Sequence, residues 1–269
     1  MLDFLSQKNR ILLRELVKTD FKLRYQGSLV GHLWSILKPL LLFTIMYFVF
    51  VRFLRFDDQS PYPAVGLLLG MVTWNFFSEA TNMGMMSIIS RGDLLRKLNF
   101  SKSIIVFSAI VGAAINYAIN LVVVFIFAMI NGVPLNWGWL IIIPLSLELA
   151  LMATGIAFIL TTLFVKYRDI GPIWEVFLQA GMYATPIIYS LNFIIQRGQP
   201  TIAKILMLNP LAQIIQDLRH FAIYSGSMRG WDLINNHWIA VIPYLVPVLI
   251  FFFGFYIFNK NANRFAEIL

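Results

Sequence analysis

The 269 residues contain no cysteine, which excludes disulfides, thiolate metal sites and a cysteine nucleophile. Charge is scarce, at 13% of the chain, and its signs are unequal: 13 acidic against 21 basic residues. The three histidines, His32, His220 and His237, are dispersed, and none has a neighbour at metal-ligand spacing. There is no GxxxxGK[ST] phosphate loop, no HExxH and no GxSxG, so phosphoryl transfer, zinc proteolysis and hydrolase chemistry find no motif here. No internal repeat, low-complexity tract or appended soluble domain is visible. The chain is expected to do no covalent chemistry itself.

What it has in excess is apolar surface. A hydrophobic share of 59% and a mean hydropathy of +0.76 leave too little polar surface to cover one soluble core. About 20 apolar residues cross roughly 30 Å of hydrocarbon, and six runs qualify: Leu33 to Leu54, Ala64 to Ile89, Ile104 to Ile130, Trp139 to Val165, Ile173 to Leu191, and Trp238 to Phe258. The expected fold is therefore an all-α integral membrane protein with six transmembrane helices. An even number of spans returns the chain to its starting side.

Lys and Arg cluster on that side. Lys8, Arg10, Arg14, Lys18, Lys22 and Arg24 precede the first run; Arg91, Arg96, Lys97 and Lys102 follow the second; Lys166 and Arg168 follow the fourth; Lys260 and Arg264 follow the sixth. This is the positive-inside pattern with both termini cytoplasmic. Residues hugging membrane edges are explained by anionic headgroups at about 1 kcal/mol each, so the net charge of +8 does not call for nucleic acid. Asp57 and Asp58 fall on the outer side, where no nucleotide sugar is available to a carboxylate pair. With the first apolar run beginning only at Leu33, no cleavable leader is expected.

Ahead of that run, Leu12, Leu13, Leu16, Val17 and Phe21 form an apolar stripe at helical spacing, with Arg14, Lys18 and Lys22 on another face. Such a helix lies in the membrane interface, or else is a solvated helix. Gly27, Gly31 and Pro39 are expected to break the chain between the interfacial helix and the first span. The loop from Ser90 to Ser103 mixes charge with Leu94, Leu95, Leu98 and Phe100, as either a short amphipathic helix for a soluble partner or an ordinary basic loop. On the outer side, residues 192–237 carry two apolar stretches too short to span, parted by the helix stop Asn209-Pro210. They form a re-entrant hairpin or a helical pair on the outer surface.

Ionisable groups inside spans are costly and mark function by default. Glu79 lies among Thr73, Asn75, Ser78, Thr81 and Asn82, a polar density that lipid would not accept. Glu148 needs a partner from another helix, and Glu175 is expected to reach headgroup water or pair with Arg168 or Lys166. Asn116 and Asn120 share a face at i and i+4 beside Tyr117, as packing glue or as the wall of a conduit.

Five segments occur in order along the chain: DFKLRYQGSLVGHLWSILKPL (Asp20 to Leu40), SRGDLLRKLNF (Ser90 to Phe100), VKYRDI (Val165 to Ile170), ATPIIYS (Ala184 to Ser190) and LNPL (Leu208 to Leu211). With the six-run topology, this set resembles the membrane subunits of ABC-2-type exporters of cell-surface polysaccharides, which include O-antigen, capsule, teichoic acid and rhamnose-rich polysaccharide permeases. The resemblance spans nearly the whole chain and implies one transmembrane domain over residues 1–269. Residues 1–31 would be the interfacial helix, 32–258 the bundle with 192–237 its outer hairpin, and 259–269 a cytoplasmic tail.

The resemblance further implies a homodimer in the bacterial cell membrane, clasped by two copies of a separate ATP-binding subunit. ATP and Mg²⁺ would be held by that subunit and no cofactor by this chain. The substrate would be a glycan on a lipid carrier, moved outward, and the partners membrane lipid and that glycan, with no nucleic acid. By match of residues it assigns coupling to Arg91, Asp93, Leu94, Leu95, Arg96 and Lys97, with Lys22, Arg24 and Tyr25. The conduit would be lined by Trp74, Phe77, Tyr117, Tyr183 and Tyr189, joined by Glu79, Asn116 and Asn120 from the polar spans, with Asn209 and Pro210 in the gate hairpin. The rival readings are a channel or secondary transporter, which the lack of matching broken spans disfavours, and a membrane-embedded glycan-modifying enzyme.

Overall fold

A computed structural model describes residues 7–24, 30–54, 60–97 and 100–265. Among them the regular structure is all helix, with no strand. Four segments are long and apolar enough to cross a membrane: Trp34–Phe53, Ser103–Ile130, Trp137–Lys166 and His237–Arg264. The expectation of an all-α membrane protein therefore holds.

The first helix, α1 (Gln7–Arg24), buries Leu16 and packs its apolar stripe against a later span, α5 (Ser103–Ile130). After Gly31, held at φ 57 where a side chain would be strained, α2 (Trp34–Met46) rises and continues as a π-helix over Tyr47–Phe53. Pro39 lies inside α2 rather than breaking it. As the sixth residue of the helix it leaves the Ser35 carbonyl without its i+4 donor, and the Asn120 amide of α5 donates to that carbonyl at 3.2 Å instead. Helix α3 (Pro63–Ser87) is 25 residues long, about 37 Å at 1.5 Å per residue, enough to span despite its polar content. The short α4 (Gly92–Lys97) connects it to α5.

Helix α6 (Ile142–Lys166) follows a 3₁₀ turn at Trp137–Ile141. The fifth run departs from expectation. Its helix, α7 (Ile170–Ala184), has only 15 residues, about 22 Å, and residues 185–190 are not helical. Pro186 is the cause: it has no N–H to donate, and it pushes the preceding Thr185 into extended backbone, ψ 136. The segment between α7 and the last long helix is likewise not two helices but four: α8 (Leu191–Gln196), α9 (Pro200–Leu206), α10 (Pro210–Leu218), which runs on as a π-helix to Ile223, and α11 (Gly230–Leu233). Two residues past the Met207 cap of α9, Asn209 starts α10, its side chain accepting from the Leu211 N–H at 3.0 Å. The last helix, α12 (His237–Asn261), is capped in the same way by Asn236.

Helix packing relies on small residues, as expected where lipid gives no hydrophobic drive between helices. Along α6 and α12, Gly155 and Gly254 bring backbone to backbone: a Cβ at Gly254 would stand 2.1 Å from the Gly155 carbonyl oxygen. Gly84 of α3 lies against Ala157 of α6, and the Thr161 hydroxyl donates to the Gly84 carbonyl. Phe158 fills the centre of the bundle, with the rings of Phe107, Phe255 and Phe258 at 5.4, 5.6 and 4.8 Å. Helix α2 stands apart from this core. Phe43 is its one buried side chain among the described residues, edge-on to Phe127 at 5.5 Å.

Candidate functional site

The gap between α2 and the α3/α5 pair is a cleft of about 390 Å³. Its α3 wall is polar because Asn75, Ser78, Glu79 and Asn82 recur at i, i+3, i+4 and i+7 and so share one face. The remaining polar residues of α3 point elsewhere and are satisfied locally. Thr73 donates to the Leu69 carbonyl at 2.8 Å, and Thr81 donates to Phe77 at 2.9 Å while accepting the Trp174 indole N–H at 3.1 Å. Polar density that looked uniform in sequence is thus divided between packing and an open surface.

Opposite, α5 contributes Asn116, Tyr117 and Asn120. The Asn116 amide donates to Glu79 Oε1 at 2.7 Å, and the Asn120 amide donates to the Asn116 carbonyl at 2.9 Å and to the Ser35 carbonyl of α2 at 3.2 Å. The last bond is a polar tether for a helix with little apolar packing. Asn116 Oδ1 is buried with no partner, an acceptor available to a ligand donor. Tyr117 stacks on Phe76 at 4.7 Å with an 18° angle between planes and accepts from Ser146 at 3.3 Å. Trp34 and Lys38 of α2 complete the cleft and are exposed. Neither stood among the candidates read from the sequence, although one helical turn separates them.

Four candidates thus meet in one place: Glu79, Asn116, Tyr117 and Asn120. The aromatic candidates do not join them. Trp74 and Phe77 are buried, their rings 5.8 Å apart, and Phe77 meets Trp174 of α7 at 6.3 Å. Tyr183 is exposed on α7, and the Tyr189 hydroxyl donates to its carbonyl at 3.0 Å. Glu175 is exposed and forms no ion pair among the described residues; Lys166 and Arg168 instead lie over the rings of Tyr167 and Phe164.

At the basic end of the bundle, Arg91 pairs with Asp20 of α1 and donates to Ser108 of α5 at 2.7 Å. It ties three elements together rather than projecting outward. Leu95 is buried, Leu94 half-buried, and Asp93 and Lys22 exposed. Tyr25 lies outside the described residues, as do the side chains of Arg24, Arg96 and Lys97. Among the described residues no three His, Asp or Glu side chains gather as a metal site.

At the other end, Arg219 was overlooked in the sequence and proves central. It is 6% exposed and donates to three carbonyls: Gly66 at 3.2 Å, Pro186 at 2.9 Å and Ile187 at 2.5 Å. Two of these belong to the segment left without helical bonds by the break at Pro186, so the guanidinium fork supplies donors to backbone that Pro186 disrupts. Nearby, Arg229 and Asp232 pair at 3.2 Å. Burial alone would push the Asp232 carboxyl up, yet the hydrogen bonds from Arg229 hold it below its ordinary value.

A bundle of long apolar helices carrying a polar cleft at membrane depth, with a basic end braced by an amphipathic helix, defines a membrane transport domain. The chain belongs to the ABC-2 type transporter family, which it matches over residues 11–223. It is 29% identical to an O-antigen export system permease protein RfbA of Klebsiella pneumoniae, and 28% identical to the protein of that name in Myxococcus xanthus. Each comparison covers 259 residues, 96% of this chain and 95% of the relative.

Proposed function

We propose that this chain is the permease half of an ATP-driven exporter that carries a lipid-linked cell-surface polysaccharide, of O-antigen, teichoic acid or rhamnose-rich type, across the cell membrane to its outer face. The functional unit is a homodimer bound to two ATP-binding subunits, which hold the ATP and Mg²⁺. The chain crosses six times, α3 and the broken α7 included, with both termini inside, the end bearing Arg91 and Lys260 facing the ATP-binding subunits and the Arg219 end facing out.

The observation that carries this reading is the cleft between α2, α3 and α5. A lipid-linked glycan has a polar body that hydrocarbon rejects and an anchor that need not leave it. It therefore requires a polar path open toward lipid, and amides, a carboxylate and ring faces at membrane depth supply the hydroxyl partners and stacking surfaces that sugars take. The full-length likeness to O-antigen export permeases favours O-antigen among the glycans. In this scheme the brace formed by Asp20, Arg91 and Ser108 carries motion of the ATP-binding subunits into α5, and the Arg219 segment shapes the exit.

Depleting the protein in its own cell and extracting lipid-linked polymer tests the assignment. Accumulation of one completed glycan on the inner leaflet, with its loss from the surface, is the expected result. Unchanged surface glycan at full depletion would overturn it.

A further inference from the structure

We infer that the pocket at the Arg219 end of the bundle, between α6, α10, α11 and α12, is a binding site for an alkylammonium group. Its volume is about 340 Å³, within the range of about 300–1,000 Å³ typical of small-molecule sites. Three rings form much of its wall, those of Phe221, Trp231 and Tyr244, and the aliphatic side chains of Leu145 and Val241 extend it. The one carboxylate in the wall is Asp217.

The hydrogen bonds around Asp217 leave acceptors in surplus. Asp217 is 3% exposed, and its Oδ2 takes two donors, Gln213 Nε2 at 2.8 Å and the Tyr244 hydroxyl at 2.5 Å, while its Oδ1 has no partner. Trp231 donates its indole N–H to the same Tyr244 oxygen at 3.0 Å. Behind Asp217, Gln213 Oε1 and Glu148 Oε1 are buried and equally without partners, Glu148 facing both Gln213 and Asp217. Of the two cations whose charge reaches Asp217, Arg229 also stands in the pocket wall, and both have partners of their own. Arg229 bonds Asp232 through Nε and Nη2 and lies over the Phe221 ring, and His220 Nδ1 meets the Ser227 carbonyl at 2.8 Å.

A ligand that fits this wall brings hydrogen-bond donors and positive charge on an apolar body. An anion would meet only Arg229, already bonded to Asp232, and would lie beside the Asp217 carboxylate, and a neutral hydrocarbon leaves Asp217 Oδ1 unpaired. A hard metal ion wants six or more oxygens, where this wall offers one carboxylate among carbon atoms. An alkylammonium matches on each count: its N–H groups donate to Asp217 Oδ1, and its charge lies among ring faces that attract cations. Both the ethanolamine headgroup of a phospholipid and a free amine carry that chemistry. The inference does not depend on the export reading.

The test uses the full chain in nanodiscs of phosphatidylglycerol, titrated with ethanolamine and with ethylene glycol, its neutral analogue of similar size, while tryptophan fluorescence is recorded. Saturable binding of ethanolamine alone is expected, weakened about tenfold or more in Asp217→Asn and in Trp231→Ala, as for loss of a charge-assisted bond or a ring wall. Tyr244→Phe, which keeps the ring, should weaken it less. A second arm adds phosphatidylethanolamine and reads retained lipid by native mass spectrometry. Lipid retained by the wild type and lost in Asp217→Asn names the headgroup as source, and amine binding without retained lipid names a soluble amine. No saturable response, an equal response to ethylene glycol, or binding unchanged in a folded Asp217→Asn and in Trp231→Ala would overturn the inference.

Discussion

Arg219 Nη1 donates to the carbonyl of Pro186 at 2.9 Å, so the residue that breaks the fifth helix is held by a charge from a segment 33 positions away. The guanidinium replaces water that hydrocarbon cannot offer, and three carbonyls share its charge. Replacing Arg219 with Met should cost about 2 kcal/mol or more, the range for hydrogen bonds to a charged group. Arg219→Lys should recover only part, since an ammonium lacks the planar fork. Denaturant unfolding in detergent, with the order wild type, Lys, Met, is the measurement; equal stabilities would refute the role.

The contact of Gly155 with Gly254 sets the distance between α6 and α12. Gly254→Ala must push backbone apart and should cost about 1–3 kcal/mol, the usual penalty of overpacking. Gly112→Ala is the control: inside α5 its Cβ would meet only Met83 Cε at 3.7 Å, so it should keep stability or raise it by up to about 1 kcal/mol through the helix preference of alanine. Thermal unfolding of the two variants side by side decides the matter.

In the cleft, Glu79→Gln keeps an acceptor for the Asn116 amide, whereas Glu79→Leu removes it and orphans a buried donor at about 1–3 kcal/mol. If the cleft is the substrate path, export should fall about tenfold in the Leu variant and stay close to wild type in Gln, at equal protein levels. Surface glycan measured per molecule of permease gives the comparison.

Asp20 and Arg91 join α1 to the bundle, with side chains 28% and 14% exposed. Each single substitution to Ala should destabilise, and a double-mutant cycle should yield a coupling energy of about 1 kcal/mol, less than a fully desolvated pair would give because water reaches Asp20. Additive effects within about 0.3 kcal/mol would mean that the pair contributes nothing. On the export reading, the same variants should uncouple ATP hydrolysis from transport.

Much of the architecture was legible residue by residue. The runs beginning at Leu33, Ile104, Trp139 and Trp238 became helices with ends shifted by one to several residues, because long apolar runs leave the backbone no alternative to internal hydrogen bonding in lipid. Asn116, Asn120, Tyr117 and Glu79 were identifiable from the cost of polar groups in spans, and they meet in one cleft. Trp74 and Phe77 are buried among the helices of the chain, which the sequence could not show, since ring chemistry is the same whether a ring packs or lines a path. Arg219 was missed because it lies inside the second short apolar stretch of the 192–237 segment, and nothing local distinguishes a buried guanidinium from one at the surface.

Composition and periodicity alone fixed that this polypeptide needs a bilayer and that its polar face on α3 exists, since these follow from hydrophobic length and from the 3.6-residue turn. Only the three-dimensional arrangement decided which polar atoms face the cleft, that α7 stops at Ala184, and that Arg219 serves the chain's own carbonyls. Those outcomes depend on which backbone groups are left without partners, and that depends on neighbours far away along the chain.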